Sequence, residues 1–275
     1  MGKKVILYIL SFILSLGIFA MLTLFIFSNT LLNKQYVLGI LEKNNYYEKT
    51  YANIQEGINN YAMQSGLEQE VFRGLYTKEK VIKDINQVVD FIYDNKEAKI
   101  SVEEIKGELD NRIYNVLEEH QKVPKQKEKE SIQKLEDVIS ETYVNGIVYS
   151  SEIVEKINEP LQKIMQSMPK VFMASIVFVC ILLLVMGIVS KKAIFSYLGI
   201  SFITSGVLSV LLQLLVGDRV HYILILNTAF SECVRYMISS ILHMFSIVGG
   251  TFIIIGIISC IFSTFIEVKK YKVFH

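Results

Sequence analysis

The chain has 275 residues, of which 52% are hydrophobic, with 28 basic against 27 acidic side chains and a formal net charge of +1. A mean hydropathy of +0.39 excludes an ordinary soluble globular protein, and the balanced charge supplies no basic field of the kind that holds nucleic acid. None of the three cysteines lies in 28–170, which excludes a disulfide-stapled domain there.

Residues 1–27 read as a cytoplasmic N-terminus and a first transmembrane helix. Lys3 and Lys4 precede an uncharged apolar run over 5–27, which meets the ~17–25 residues needed to cross ~30 Å of hydrocarbon. A cleaved signal peptide starts in a similar way. The run is too long for one and no small-x-small site precedes Asn29, so an uncleaved signal anchor is expected. Met1-Gly2 would suit myristoylation, but Ile6 stands where that motif needs Ser or Thr.

Residues 28–170 carry most of the charge, 24 acidic against 19 basic side chains, and are long enough for a domain. A helix is predicted from Asn33 through Val37, Ile40, Leu41, Tyr47, Tyr51, Ile54 and Ile58, ended by Ser65-Gly66. After Thr77, the spacing of Val81, Ile82, Ile85, Val88, Val89 and Ile92 gives an amphipathic helix that leaves Lys80, Lys83, Asp84, Asn86 and Asp90 mostly on the other side. Ser101 and Glu104 have capping-box spacing ahead of a stripe through Val102, Ile105, Leu109, Ile113 and Val116. A third stripe passes through Ile132, Leu135, Val138, Ile139, Ile147, Val148, Val154 and Ile157. Segments 94–99 and 119–130 read as exposed turns, the second broken by Pro124. Asn158 before Pro160 and Ser167 before Pro169 read as N-caps, so the helix is expected to restart twice on the way into the next span. The expectation is a helical bundle or bent hairpin. Its tyrosines, among them Tyr46, Tyr47, Tyr51, Tyr61, Tyr76 and Tyr93, fit amphipathic packing as well as a glycan or peptide surface.

Three further apolar runs follow, at 171–189, 194–216 and 238–266. Lys191 and Lys192 lie in the four-residue loop 190–193, and Lys269, Lys270 and Lys272 in the tail 267–275. With Lys3 and Lys4 they put three basic clusters on one side, which retains that side in the cytoplasm. Residues 28–170 and the loop 217–237 are then extracytoplasmic. In that loop Ile223, Leu226, Phe230, Cys233, Val234 and Met237 form an amphipathic pattern opposite Asn227, Ser231 and Arg235, suited either to lying on the bilayer or to docking on the domain.

Gly199 and Gly206 recur seven residues apart in the third span, as do Gly249, Gly256 and Ser263 in the fourth. Small residues at that period mark faces where helix backbones approach. Ser196, Ser201, Thr204 and Ser209 fall over more than one face of the third span, and Gln213 is its one large polar group. His243 is the ionisable side chain near the fourth span, with Ser239, Ser240 and Ser246 within about a turn; intramembrane ionisable groups are functional candidates. Zinc, nucleophile-elbow, phosphate-loop and Cys-x-x-Cys motifs are absent from the sequence. Glu118-Glu119-His120 reads as a solvated helix end, because adjacent helical side chains diverge by ~100°.

One span, a large domain, then three spans with a short second outer loop resembles the FtsX and MacB type of ABC permease over most of the chain. It departs from that type at 190–193, where the permeases carry a sizeable cytoplasmic segment toward their ATPase. The stretch 192–207, KAIFSYLGISFITSGV, resembles four-span bacterial membrane proteins of unknown function with a large extracytoplasmic loop after the first span, a likeness that implies no activity.

The expectation is therefore an all-α polytopic protein of the plasma membrane, with four transmembrane helices, a helical extracytoplasmic domain and both termini cytoplasmic. A cysteine-free outer domain and a Trp-free chain rich in Lys, Asn, Ile and Tyr suit a Gram-positive bacterium. The expected role is a non-enzymatic accessory or sensory component of a cell-envelope complex, without cofactor, metal or nucleic acid. Its partners are the lipid bilayer, a membrane protein or a second copy, and an envelope ligand on the outer domain. The alternatives are a transporter or reduced permease subunit working along the third span, and an embedded enzyme using His243.

Overall fold

The computed structural model describes residues 2–98, 100–121, 123–147, 151–190, 193–222 and 228–273, with backbone alone for 151–157, 228 and 266–273. All regular elements among them are helical. In chain order these are α1 (Gly2–Asn29), α2 (Lys34–Lys43), α3 (Tyr46–Ser65), α4 (Lys78–Asp94), α5 (Glu103–Glu119), α6 (Gln126–Ile147), α7 (Ser151–Ser190), α8 (Ile194–Gly217) and α9 (Thr228–Val273), with 3-10 turns at Gln69–Val71 and Val220–Tyr222. Four helical stretches among the described residues are long and apolar enough to cross a membrane: Gly2–Asn29, Asn158–Ser190, Ile194–Tyr222 and Ala229–Phe265. The chain divides into a membrane unit, 1–37, 164–225 and 234–275, and a helical domain, 38–163 and 226–233.

In the membrane unit, Leu7, Leu14 and Ile18 of α1 bury against Val179, Leu182 and Met186 of α7 and Tyr197 of α8. Leu22 and Ile26 continue onto Ile241 and Phe245 of α9. The remaining faces stay apolar and exposed, as at Ile188, Leu215 and Ile258, which suits lipid as the solvent.

In the helical domain the apolar stripes converge on one core containing Ile54, Ile58, Val81, Ile85, Leu109, Ile113, Ile139 and Tyr143. Asn33 Oδ1 accepts the amides of Gln35 and Tyr36 and so starts α2. The single helix expected over 33–63 is two, because Asn45 turns left-handed at φ 52° between α2 and α3. Gly66, at φ 73°, then closes α3. Thr77 caps α4 through the Lys80 amide at 3.2 Å. The expected capping box does not form: Val102 occupies the N-cap position, Ser101 donates to Glu103 Oε2, and Glu104 instead meets Lys80 Nζ at 3.3 Å.

The two expected helix restarts are also absent, since α7 continues through Pro160 and Pro169. Neither presumed cap is free to cap. Asn158 is buried and donates to Asn95 Oδ1, while Ser167 donates back to the Ile164 carbonyl. α9 likewise runs unbroken from Thr228, where a loop helix and a separate span were expected. Residues 228–248 contain neither Gly nor Pro, so nothing interrupts the ladder. Ala229 and Cys233 of its first turns are buried in the core of the helical domain, the docked alternative for this segment. Ile223, Leu226 and Asn227 of the same pattern lie outside the described residues, as does Val148 of the third stripe.

Candidate functional site

The predicted glycines of α8 and α9 meet in register. A Cβ added at Gly206 would lie 2.5 Å from the Gly249 carbonyl oxygen, and one at Gly256 would lie 2.6 Å from that of Gly199. Gly199 also faces Cys260 Sγ. Ser263, one heptad after Gly256, is buried. A second seam, on α1, uses serines that composition alone did not single out. Ser11 donates to the Tyr197 carbonyl at 3.0 Å and lies 2.8 Å from Ser201 Oγ; Ser205 donates to the Ser15 carbonyl at 2.7 Å. Ser201, Ser205 and Ser209 thus share one fully buried face of α8, while Ser196 and Thr204 are only half-buried. The available signal was Ser11-x-x-x-Ser15, small residues one turn apart inside an apolar helix.

The two polar candidates of the spans are not brought together. His243 is exposed on the flank of α9 and Gln213 is half-buried on α8. Ser240 accepts a hydrogen bond from Tyr36 OH at 3.0 Å, and no hydrogen bond among the described residues joins His243 to Ser239 or Ser246. Among the described residues His243 is thus not hydrogen-bonded to a neighbouring serine of α9 as a general base would be.

The helical domain holds the more developed chemistry. Asp84, assigned by periodicity to the solvent face, is 2% exposed. Its carboxylate accepts Tyr143 OH at 2.8 Å and lies 3.7 Å from Lys80 Nζ, contacts that offset the desolvation of a buried charge. Burial, reinforced by that bond to Asp84, pushes the Tyr143 hydroxyl above the usual phenol range. Tyr76 stacks edge-on to both Tyr143 and Tyr51, so these tyrosines mostly build core and leave Tyr61 at the surface.

Between the ends of α3, α5 and α6 lies a cleft of about 800 Å³. Its walls are Ile113 and Leu117 of α5, Ile132, Leu135 and Val138 of α6, and Leu67 after α3. Four local features border it. Arg112 donates to the Arg73 and Val71 carbonyls and pairs with Glu108, tying the 3-10 turn to α5. Gln121 takes a positive φ of 51°, and Pro124 prevents α5 from running on. The Lys125 amide donates to Glu128 Oε2 at 2.6 Å, starting α6. At the rim stand Tyr61, Val123, Lys125 and Lys134, with Val123 88% exposed. Ile113, Ile132 and Leu135 were legible as stripe positions; that the stripes part to leave a cleft was not.

Beside this hairpin Lys106 pairs with Asp137 at 2.7 Å, while Glu136 of α6 faces Asp110 of α5. Burial and the bond to Asp110 push Glu136 up to about 7 from an ordinary 4.5. The folded state therefore keeps a proton that the unfolded chain releases between those values, and the contribution of this group is fully present below about 4.5 and lost as pH rises through about 7. Thermal melts of the full chain in lipid nanodiscs should show Glu136→Gln more stable than wild type at pH 8 and level with it at pH 4.5. An equal difference at both values would remove the pair as a pH-sensitive element.

No family model, curated protein or solved structure matches the chain.

Proposed function

We propose that the protein is a non-enzymatic sensory or accessory component of a bacterial cell-envelope complex. The helical domain faces outward and binds an envelope component in its cleft, while the spans engage a neighbouring membrane protein. The lysines at 3–4, 191–192 and 269–272 support this orientation through the positive-inside rule. The single observation that carries the reading is the cleft itself, a preformed concave apolar site with a few polar groups at its mouth. Only the three residues 191–193 join α7 to α8, too few for a domain that could carry a signal inward, so the output passes sideways to a partner in the bilayer. A transport pathway along α8 is less well supported, because Ser201 and Ser205 spend their hydroxyls on α1.

The test is crosslinking in cells followed by mass spectrometry of the purified complex. A recurring membrane-protein partner, lost when the cleft is filled by Leu135→Trp, is the expected result. Capture of solitary chains alone would sink the reading.

A further inference from the structure

We infer that the cleft between α3, α5 and α6 takes a single-chain amphipathic anion, of which a long-chain carboxylate is the simplest member. This rests on the proposed reading of the cleft as the recognition site and names its ligand class. Three observations converge on it. The volume, about 800 Å³, falls within the ~300–1,000 Å³ of small-molecule sites, whereas docking a folded partner calls for an interface of ~800 Å² on each side. The interior is aliphatic and continuous with the core of the domain, since Ile113 is 1% exposed and Leu67, Leu117, Ile132 and Leu135 pack against that core. Among the described lining residues the polar groups other than the lysines, Gln64, Ser65, Glu128 and Ser131, are all exposed, so the buried part of the occupant is a hydrocarbon.

The mouth supplies the charge preference. Lys125 and Lys134 both line it and both are exposed, and neither ammonium forms an ion pair with a described residue. Glu128, the one carboxylate among the described lining residues, accepts the Lys125 amide at the start of α6 and leaves the lining with one positive charge in excess. This rim is locally basic in a segment where acids outnumber bases 24 to 19. Lysine stems lie readily along apolar walls and keep their heads in water, which matches a chain buried in the cleft with its anionic head at the surface.

The test irradiates the full chain, in nanodiscs of zwitterionic phospholipid, with a long-chain carboxylate carrying a mid-chain diazirine, and maps the adducts. Adducts on α5 and α6 peptides, displaced by oleate at least tenfold more effectively than by a trimethylammonium of equal chain length, are expected. The double variant Lys125→Glu/Lys134→Glu should lower cleft labelling about tenfold without shifting the melting curve. Leu135→Trp, which leaves both lysines in place, should abolish it by occlusion. Labelling confined to the four spans, equal displacement by the cation, or undiminished labelling in both variants would overturn the proposal. So would loss of labelling when phosphatidylglycerol is added to the nanodisc, which would assign the cleft to bilayer lipid. A cleft-dependent partner captured in cells with no carboxylate adduct refutes this ligand class alone; adducts without any partner refute the complex instead.

Discussion

Gly249→Ala is expected to destabilise the membrane unit strongly, whereas Gly250→Ala, one residue along the same helix, is expected to leave it intact. A Cβ at Gly249 would stand 2.8 Å from both the Gly206 carbonyl oxygen and Ser209 Cβ, closer than packed carbons and oxygens come, while a Cβ at Gly250 meets nothing within 4 Å. Gly206→Ala carries the same penalty from the other side, with the Gly249 carbonyl at 2.5 Å and Ile253 Cγ1 at 2.7 Å. Backbone cannot rotate away as a side chain can, so α8 and α9 must separate and give up the dispersion contacts of the whole seam. Overpacking typically costs ~1–3 kcal/mol, and a clash with main chain belongs at the upper end. The double variant Gly206→Ala/Gly249→Ala should cost less than the sum, because one separation relieves both sites. Melting followed by exposure of Cys260, which packs at Gly199, to a thiol-reactive dye reads the effect. Indistinguishable curves for the Gly249 and Gly250 variants would mean the helices do not approach as described.

The second large effect is expected at Tyr143. Tyr143→Phe deletes a single oxygen yet should destabilise the helical domain by ~1–3 kcal/mol, the cost of leaving a buried polar group without its partner. The group left behind is the Asp84 carboxylate, 2% exposed, whose other neighbour, Lys80 Nζ, is 3.7 Å away and shared with Glu104. Removing both members of a buried polar pair costs less than removing one. Asp84→Leu/Tyr143→Phe should therefore melt above Tyr143→Phe alone, by circular dichroism of the full chain. A double variant less stable than the single would show that Asp84 contributes through contacts other than this hydrogen bond.

Asp84 also illustrates where reading a sequence by period stops working. It sits among Lys80, Lys83, Asn86 and Asp90, and a polar residue in such company is assigned to water. Tyr143 lies 59 positions further on, and only when α4 and α6 come together does a hydroxyl arrive to take the carboxylate inward. Asn158 and Ser167 were misread for a related reason: a polar residue two positions before proline has the local signature of a cap, but Asn95 across the domain offered Asn158 a better partner. The α3–α6 contact was equally hidden. A Cβ at Gly146 would fall on the Ile54 side chain, and nothing near Gly146 in the sequence announces Ile54.

The sequence by itself determined the all-helical class, the end of α3 at Gly66, the polar turn at 94–99 that follows α4, and which four stretches can cross a membrane. Those properties depend on residues within a turn or two of each other: apolar runs without charge, helical stripes, and residues that accept a left-handed backbone. Only the tertiary structure decided that Gly206 faces Gly249 and Ser11 faces Ser201, that Asp84 is core, and that α3, α5 and α6 leave a cleft at one end. Pairing of faces is a property of two helices at once. A helix's own period says which of its sides is small, polar or apolar, while the partner that covers it is selected by packing across the whole fold.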